Sequence, residues 1–197
     1  MRTPQTSRTA FTLVELLTVI AIIAVLMGIL FPTINSAIES AKKTQAKNDE
    51  LQIVNAVKAY YTEYGKYPVD YNSGNFTYDG ANGNTNDKLF NELRVNQYTT
   101  NNPRKIVFLE VPDAKKDGKS GIQQTANAGQ WFDPWGNPYI IRIDTDYDNV
   151  IDNPYSQNAG NSKLNTGVIV YTKGRDGKGG TGDKNGADAK DDVISWQ

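Results

Sequence analysis

The chain has 197 residues, contains neither cysteine nor histidine, and carries 21 Lys and Arg residues against 22 Asp and Glu residues. These absences exclude disulfide bonds, thiol nucleophiles, serine–histidine catalytic groups and the usual zinc ligand sets. The basic residues are spread along the sequence rather than gathered in one block, which argues against a nucleic-acid-binding surface.

The first two segments of the sequence differ sharply in polarity. Residues 1–10 are polar, contain Arg2 and Arg8 and have no acidic side chain, so we interpret them as a leader. Residues 11–34 are apolar and, at about 1.5 Å per residue, long enough to cross a hydrocarbon core of roughly 30 Å as a helix. No cleavage site of small residues follows Phe31, unlike in a secretory signal peptide. We therefore predict a transmembrane helix segment, with any cleavage before it.

Glu15 is the single ionisable side chain in the apolar segment. An isolated acid in a membrane helix costs on the order of 3 kcal/mol, so such a residue is a functional candidate by default. One interpretation is a carboxylate at a helix start, where the helix dipole favours it. The other is charge pairing: cleavage before Phe11 would create an α-amine, and an amine and a carboxylate on adjacent helices can neutralise one another in lipid.

Residues 35–64 predict an amphipathic helix, because apolar residues recur at spacings of three and four while lysines and acids occupy the other faces. Gly65 is placed to end this helix as a left-handed cap, and Pro68 prevents its resumption. Pro32 is expected to kink the preceding segment, since its ring crowds the Gly28 carbonyl and removes one hydrogen bond. The predicted apolar face consists of Ile34, Ala37, Ile38, Ala41, Leu51, Val54, Val57, Tyr61 and Tyr64.

Residues 65–197 predict a polar head that contains both helix and strand. An exposed loop rich in Asn and Gly, over 71–87, precedes a short helix at KLFNELRV. Segments rich in β-branched or aromatic residues and bounded by turn residues then predict strands. These strands are expected at residues 105–111, 138–144 and 167–173. The fold class is therefore α+β: a long N-terminal helix, half transmembrane and half amphipathic, packed on a small antiparallel sheet.

The C-terminal segment combines acids with glycine and has almost no apolar content. Its acids are Asp176, Asp183, Asp188, Asp191 and Asp192. They would repel one another and stay disordered unless a cation gathered them. Calcium takes oxygen ligands, and an ion would supply the staple that a cysteine-free head otherwise lacks. The alternative is a solvated acidic tail balanced by its own lysines.

The sequence DTDYDNVID begins like an EF-hand loop. Asp144, Asp146 and Asp148 alternate as the first ligands of that loop do, but Tyr155 stands where its closing glutamate is required. We favour a strand end that leads into an Asx-rich turn. A second calcium site is the alternative interpretation.

The N-terminal sequence AFTLVE, followed by a long apolar helix, resembles the processing signal of type IV pilins and type II secretion pseudopilins. The resemblance implies that a prepilin peptidase cuts between Ala10 and Phe11 and methylates the new amine of Phe11. It also implies that Glu15 pairs with this amine on a neighbouring subunit as a filament grows. The family usually has glycine where this chain has Ala10.

The head resembles the major pseudopilin of type II secretion in particular. DPWGNPY at residues 133–139 is similar to that family's turn, and the acidic segment ending in DDVISW is similar to its calcium-binding loop. Thr172 stands where the family has serine. The resemblance implies a calcium-stapled C-terminal loop with ligands at Asp176, Asp191 and Asp192, and with Asp183 and Asp188 as further candidates.

On this resemblance the chain is expected to be a structural subunit and not an enzyme. It would cross the bacterial inner membrane once, hold its head in the periplasm and assemble into a helical type II secretion pseudopilus that helps export proteins. The implied partners are further copies of the chain, minor pseudopilins, the prepilin peptidase and the inner-membrane assembly platform. Two alternatives stay open: a type IV pilus subunit for adhesion, motility or DNA uptake, and a membrane-anchored polysaccharide hydrolase that uses a pair such as Asp133 and Asp144.

Overall fold

The computed structural model describes residues 11–69, 74–95, 100–124, 128–155, 157–179 and 182–197. The predicted leader, residues 1–10, lies outside the described residues. The chain divides into two compact units, Met1–Ala41 and Lys42–Gln197. Helix α1 extends over Leu13–Tyr64, and the boundary between the units falls within it.

The first unit consists, in its described part, of the apolar portion of α1. The helix begins at Leu13 and continues through Pro32. Its large apolar side chains are exposed, with Leu13 at 79% and Val25 at 65% of their accessible surface. By length and composition this portion qualifies as a candidate membrane span, in agreement with the segment predicted from the sequence.

The second unit contains the remaining secondary structure. Its second helix, α2, extends over Asp87–Arg94, close to the predicted KLFNELRV helix. Four of its strands form one antiparallel sheet, in the order β1, β4, β7, β8, and the others form two separate pairs, β2 with β3 and β5 with β6. The strands are β1 Asn75–Tyr78, β2 Gly121–Ile122, β3 Trp131–Phe132, β4 Ile140–Asp144, β5 Ile151–Asp152, β6 Lys163–Leu164, β7 Val168–Thr172 and β8 Val193–Ile194.

The main core joins the second half of α1 to the sheet. Ile53, Val57 and Tyr60 of α1 are fully buried in the same cluster as Ile141 of β4 and Val170 of β7. This arrangement confirms the predicted α+β class, in which a helix covers one face of a small antiparallel sheet.

The buried stripe of α1 differs by position from the predicted apolar face. Val54 and Val57 are buried as expected, whereas Leu51 and Tyr61 keep 40% and 39% of their surface exposed. The observed stripe follows three- and four-residue steps through Ala46, Glu50, Ile53, Val57 and Tyr60. Glu50 lies within this stripe, which is why the pattern of apolar residues alone did not reveal the buried face of α1. The predicted end of the helix is confirmed: Gly65 has a φ of 66° and its N–H donates to the Tyr61 carbonyl at 2.8 Å.

Two of the three predicted strands are confirmed, and the first is wrong. The segments 138–144 and 167–173 contain β4 and β7, which pair with each other. Residues 105–111 form no strand, because the N–H groups of Phe108 and Leu109 both donate to the carbonyl of Leu93 at the end of α2. The predicted loop over 71–87 instead contains β1, which pairs with β4; residues 71–73 lie outside the described part.

Candidate functional site

The N-terminal end of α1 is closed by its own side chains. Glu15 Oε2 accepts hydrogen bonds from the Thr12 N–H at 2.8 Å and from Thr12 Oγ1 at 2.6 Å, and the Glu15 N–H donates to Thr12 Oγ1 at 3.3 Å. This reciprocal arrangement is a capping box, which provides partners for N–H groups at a helix start. The T-x-x-E spacing of residues 12–15 was its signal in the sequence. It supports the helix-start interpretation of Glu15.

The capping box leaves part of the Glu15 carboxylate available for a second interaction. Both bonds from Thr12 end on Oε2, and Oε1 accepts no hydrogen bond from a described residue. The surrounding side chains are apolar and exposed, with Phe11 at 73% and Leu13 at 79%. A cationic group that approached this surface in lipid would therefore meet one carboxylate among apolar groups, and pairing would spare both charges from isolation.

The DPWGN turn of the head is organised by one buried carboxylate. Asp133 is fully buried, and its Oδ1 accepts hydrogen bonds from the N–H groups of Trp135, Gly136 and Asn137 at 2.7–2.8 Å. Its Oδ2 accepts a hydrogen bond from the Thr172 hydroxyl. Burial raises the pKa of Asp133, and these hydrogen bonds oppose that rise. The DPWGN residues, which carry part of the resemblance to major pseudopilins, therefore form a turn.

The turn holds the C-terminal loop through Asn137, whose Nδ2 donates to the Gly174 carbonyl at 2.6 Å. Within the loop, the Asp176 N–H donates to Asp191 Oδ2 at 2.9 Å. Gly174 has a φ of 61°, and a Cβ on it would lie 2.4 Å from the Asp191 carbonyl oxygen and 2.9 Å from Asp191 Oδ2. The missing Cβ thus leaves room for oxygen atoms beside the backbone. The Asp191 carboxylate is thus held against the backbone of Asp176, while Asp176 Oδ1 accepts the Lys178 N–H at 2.8 Å.

The other predicted ligands have different partners. Asp192 is 5% exposed, and its Oδ2 accepts a hydrogen bond from the Tyr155 hydroxyl at 2.5 Å. Asp183 accepts from Asn158 Nδ2 at 2.7 Å, while Asp188 Oδ1 lies 3.8 Å from Lys178 Nζ. Among the described residues, the acids of this loop do not converge as a group of three within the range of one ion.

The group of acids that does converge belongs to the DTDYDNVID turn. Carboxylate oxygens of Asp144, Asp146 and Asp148 lie within 4.8 Å of one another. The buried Asp144 accepts the N–H of Tyr147 at 2.8 Å and that of Asn149 at 2.7 Å, so the structure shows the expected turn at the end of β4. The Asp144 carboxylate also raises the pKa of Asp146.

The carboxylates of the alternative hydrolase pair each close a turn of their own. Asp133 organises the turn after β3, and Asp144 organises the turn after β4. Both groups therefore use their oxygens to hold backbone N–H groups, as structural carboxylates do.

Comparison with known proteins places one recognised motif on this chain. A family profile described as "Prokaryotic N-terminal methylation motif" matches residues 6–31. The chain carries a prokaryotic N-terminal methylation motif. No curated protein and no solved structure matches the chain. Because this motif is the prepilin-type signal, it indicates a pilin-like structural subunit that a prepilin peptidase processes.

The methylation motif contains three of the predicted functional residues. Ala10, Phe11 and Glu15 lie within it, and Ala10 lies outside the described residues. The motif ends before the head begins, so it does not extend to the acids of the C-terminal loop. It agrees with the apolar helix in indicating a membrane anchor.

A functional candidate that the sequence did not indicate is Glu50, in the buried stripe of α1. The residue is fully buried, and neither carboxylate oxygen has a hydrogen-bond donor among the described residues. Burial raises its pKa well above the ordinary value, with opposing effects from Lys47 and Lys184 and reinforcing effects from Asp49 and Asp133. Its position in an apolar stripe could be recognised only once the face of α1 was known.

Replacing Glu50 with glutamine should stabilise the head near neutral pH. The folded state keeps a proton on Glu50 that the unfolded state releases above its ordinary pKa, so the folded state binds more protons and stability falls as pH rises. Asp49, whose pKa burial raises to about 6, acts with the same sign. Glu50→Gln should therefore raise the thermal midpoint at about pH 7.5 much more than at about pH 5.

The matched control is Glu110→Gln, at an exposed loop position. It should leave the thermal midpoint unchanged at both values of pH. A Glu50→Gln variant that melts below the wild type near neutral pH would show that the charged carboxylate stabilises the fold.

Proposed function

We propose that this chain is the major structural subunit of a type II secretion pseudopilus. The observation that carries the proposal is the methylation motif, placed on a helix whose apolar side chains are exposed in the single chain. A helix of this kind needs lipid or neighbouring helices around it. The chain would wait in the inner membrane with one span and a periplasmic head, and would then enter a filament.

Assembly would begin with the pairing of two charges. Removal of residues 1–10 gives Phe11 an α-amine, and this amine binds Glu15 of the adjacent copy. Because each isolated charge costs on the order of 3 kcal/mol in a membrane helix, the pair favours the assembled state. The capping bonds from Thr12 can persist, since both end on Oε2 of Glu15.

The choice of a secretion pseudopilus over a type IV pilus rests on the head. The chain lacks cysteine and has the acidic loop between Gly174 and Asp192, as the resemblance to major pseudopilins implies. The partners of such a subunit would be minor pseudopilins, the prepilin peptidase and the inner-membrane assembly platform. Work on the filament would come from an ATPase elsewhere, because no nucleotide-binding motif occurs in the sequence.

The same proposal includes a calcium ion in the C-terminal loop. Asp176 and Asp191 with nearby loop carbonyls fit the oxygen chemistry of calcium, which takes 6–8 oxygen ligands. Asp192, Asp183 and Asp188 remain predicted ligands, and they would have to exchange their present partners to join. The ion would bind the folded loop and so stabilise the head.

Calcium should raise the thermal midpoint of the wild-type chain, and chelator should lower it, because an ion bound only by the folded state adds to stability. Replacing Asp176 and Asp191 with asparagine should abolish this response. The control variant Asp117→Asn changes an exposed acid outside both the loop and the cluster of Asp144, Asp146 and Asp148, and should retain the response. A response that persists without Asp176 and Asp191 would contradict the calcium site.

Mass spectrometry of the protein extracted from membranes tests the proposed function directly. The mature chain should begin at an N-methylated Phe11, and deletion of its gene should stop protein export. Long surface pili that disappear on deletion while export continues would favour the type IV pilus. Recovery of the chain with residues 1–10 attached and without filaments would contradict both.

A further inference from the structure

A groove lined by lysines lies between α1 and the C-terminal segment of the head. Lys47 Nζ donates to the carbonyl of Ile194 at 2.6 Å and to that of Gln197, and it forms one wall. Lys184 Nζ donates to the carbonyl of Ala189 at 2.9 Å. The carbonyls of Ile194 and Ala189 are neutral partners. The lysines of the groove are Lys43, Lys47, Lys184 and Lys190.

Of the acids near this groove, Asp192 and Glu50 are buried, and Asp191 is half-buried. Asp192 borders the groove but is 5% exposed and accepts the Tyr155 hydroxyl. Glu50 is fully buried, and burial raises its pKa well above the ordinary value. Among the described residues, no ion pair joins Lys43, Lys184 or Lys190 to a carboxylate. The side chains that line the groove thus include four lysines and one acid, the buried Asp192.

An exposed acidic tip follows β4. Asp146, Tyr147 and Asp148 are exposed, whereas Asp144 beneath them is buried. Tyr147 and Asn149 adopt the left-handed conformation, with φ of 64° and 60°, and Asp144 holds both of their N–H groups. Arg142 and Lys163 line the same side together with Asp152, and Arg142 is engaged with Thr77 and the Asp152 carbonyl. The hydrogen bonds to Asp144 therefore fix the backbone conformation of the tip without a partner.

The groove and the tip lie at opposite ends of the head. The Tyr147 ring stacks on Tyr67 at 5.6 Å and lies 6.2 Å from Tyr61, near the end of α1. The groove instead meets α1 at residues 43–48. At about 1.5 Å per residue, these two parts of the helix are about 25 Å apart. This distance prevents the tip from reaching the groove of its own chain. The groove is lined by lysines, whereas the tip exposes two acids.

We propose that the acidic tip of one copy docks into the lysine groove of the next copy in the filament. This inference rests on the proposed function, in which copies share one direction because their N-terminal helices pack side by side. A lengthwise offset of about 25 Å between two copies would bring the basic end of one head to the acidic end of the other. Such a contact joins different surfaces on the two partners and does not close on itself, so it propagates along a filament. Complementary charges also steer arriving copies and set the register.

Cysteine crosslinking of the full chain tests this contact, because the wild-type sequence has no cysteine to interfere. A chain with both Lys190→Cys and Asp148→Cys, treated in membranes with a short bismaleimide, should give a ladder of covalent multimers. Each single variant alone should stay monomeric, while the two expressed together should give dimers. The control pair Lys116→Cys with Asp148→Cys uses an exposed lysine outside the groove and should give no ladder.

Charge reversal provides a second measurement that does not depend on crosslinker reach. Lys43→Glu with Lys190→Glu should reduce filament yield severalfold, as should Asp146→Lys with Asp148→Lys. Mixing the two variants should restore the yield, because each reversed surface then meets an opposite charge.

The outcomes separate this contact from the proposed function. Filaments that form normally without a ladder or a charge effect would overturn the docking and leave the function standing. Dimers from Lys190→Cys alone would show a symmetric contact and would also overturn it. If the wild-type chain forms no filament at all, both proposals fall.

Discussion

Glu15→Val should leave the chain inserted and processed but reduce its entry into filaments by roughly a hundredfold. The valine variant leaves the α-amine of the neighbouring Phe11 without a partner, and about 3 kcal/mol for an unpaired charge in a membrane helix corresponds to that factor. The measurement is the amount of sedimented filament relative to the membrane pool. A normal yield would contradict the charge pairing.

The capping box makes a sharper comparison possible. Glu15→Gln keeps an oxygen acceptor for Thr12, and glutamine also serves at this position of a capping box, but it carries no charge. Thr12→Val removes the side-chain partner and retains the charge. If pairing is the function of Glu15, the glutamine variant should fail to assemble and the Thr12 variant should succeed. The reverse result would show that Glu15 acts only as a helix cap.

Asp133→Ala should lower the free energy of unfolding by about 4 kcal/mol, because the four donors nearest to its carboxylate oxygens lose their acceptor in a buried site and each unsatisfied group costs about 1–3 kcal/mol before relaxation. Those donors are the N–H groups of Trp135, Gly136 and Asn137 and the hydroxyl of Thr172. Urea titration of the full chain in detergent, followed by tryptophan fluorescence, measures the loss. Trp131, which is 2% exposed, serves as a nearby reporter.

Asp133→Asn is the matched control for this loss. Its carbonyl oxygen can still accept from the three N–H groups, and the Thr172 hydroxyl can reverse and accept from the new amide. We therefore expect a smaller loss than with alanine. Equal losses for the two variants would show that the negative charge, rather than the acceptor, holds the turn.

The features that the sequence predicted correctly depend on neighbouring residues. The end of α1 at Gly65, the helix α2 and the strand β7 each follow from local periodicity or from a residue with special backbone freedom. The methylation motif is likewise a short local pattern, and residues 6–31 matched the family profile. Each of these signals lies within a short, continuous stretch of sequence.

The features that escaped prediction depend on distant partners. NFTY forms β1 only because β4 pairs with it, and nothing in an Asn- and Gly-rich stretch indicates that pairing. The β-branched residues at 105–111 favoured a strand, yet the Leu93 carbonyl took the N–H groups of Phe108 and Leu109. The direction of Asp192 toward Tyr155 is equally invisible in a linear sequence. Side-chain partners of this kind are set by the tertiary packing of the head.

The cap at Thr12 and Glu15 also affects the cost of joining a fibre. Ordering a backbone residue requires roughly 1–2 kcal/mol of entropy at room temperature. Since the first turn of α1 is already wound by contacts inside a single copy, an arriving subunit has little left to freeze at that end. Rigid parts associate with a smaller entropic loss than flexible ones. The N-terminal end of α1 is thus ordered before it contacts a filament, so its binding depends on shape and charge complementarity rather than on further folding.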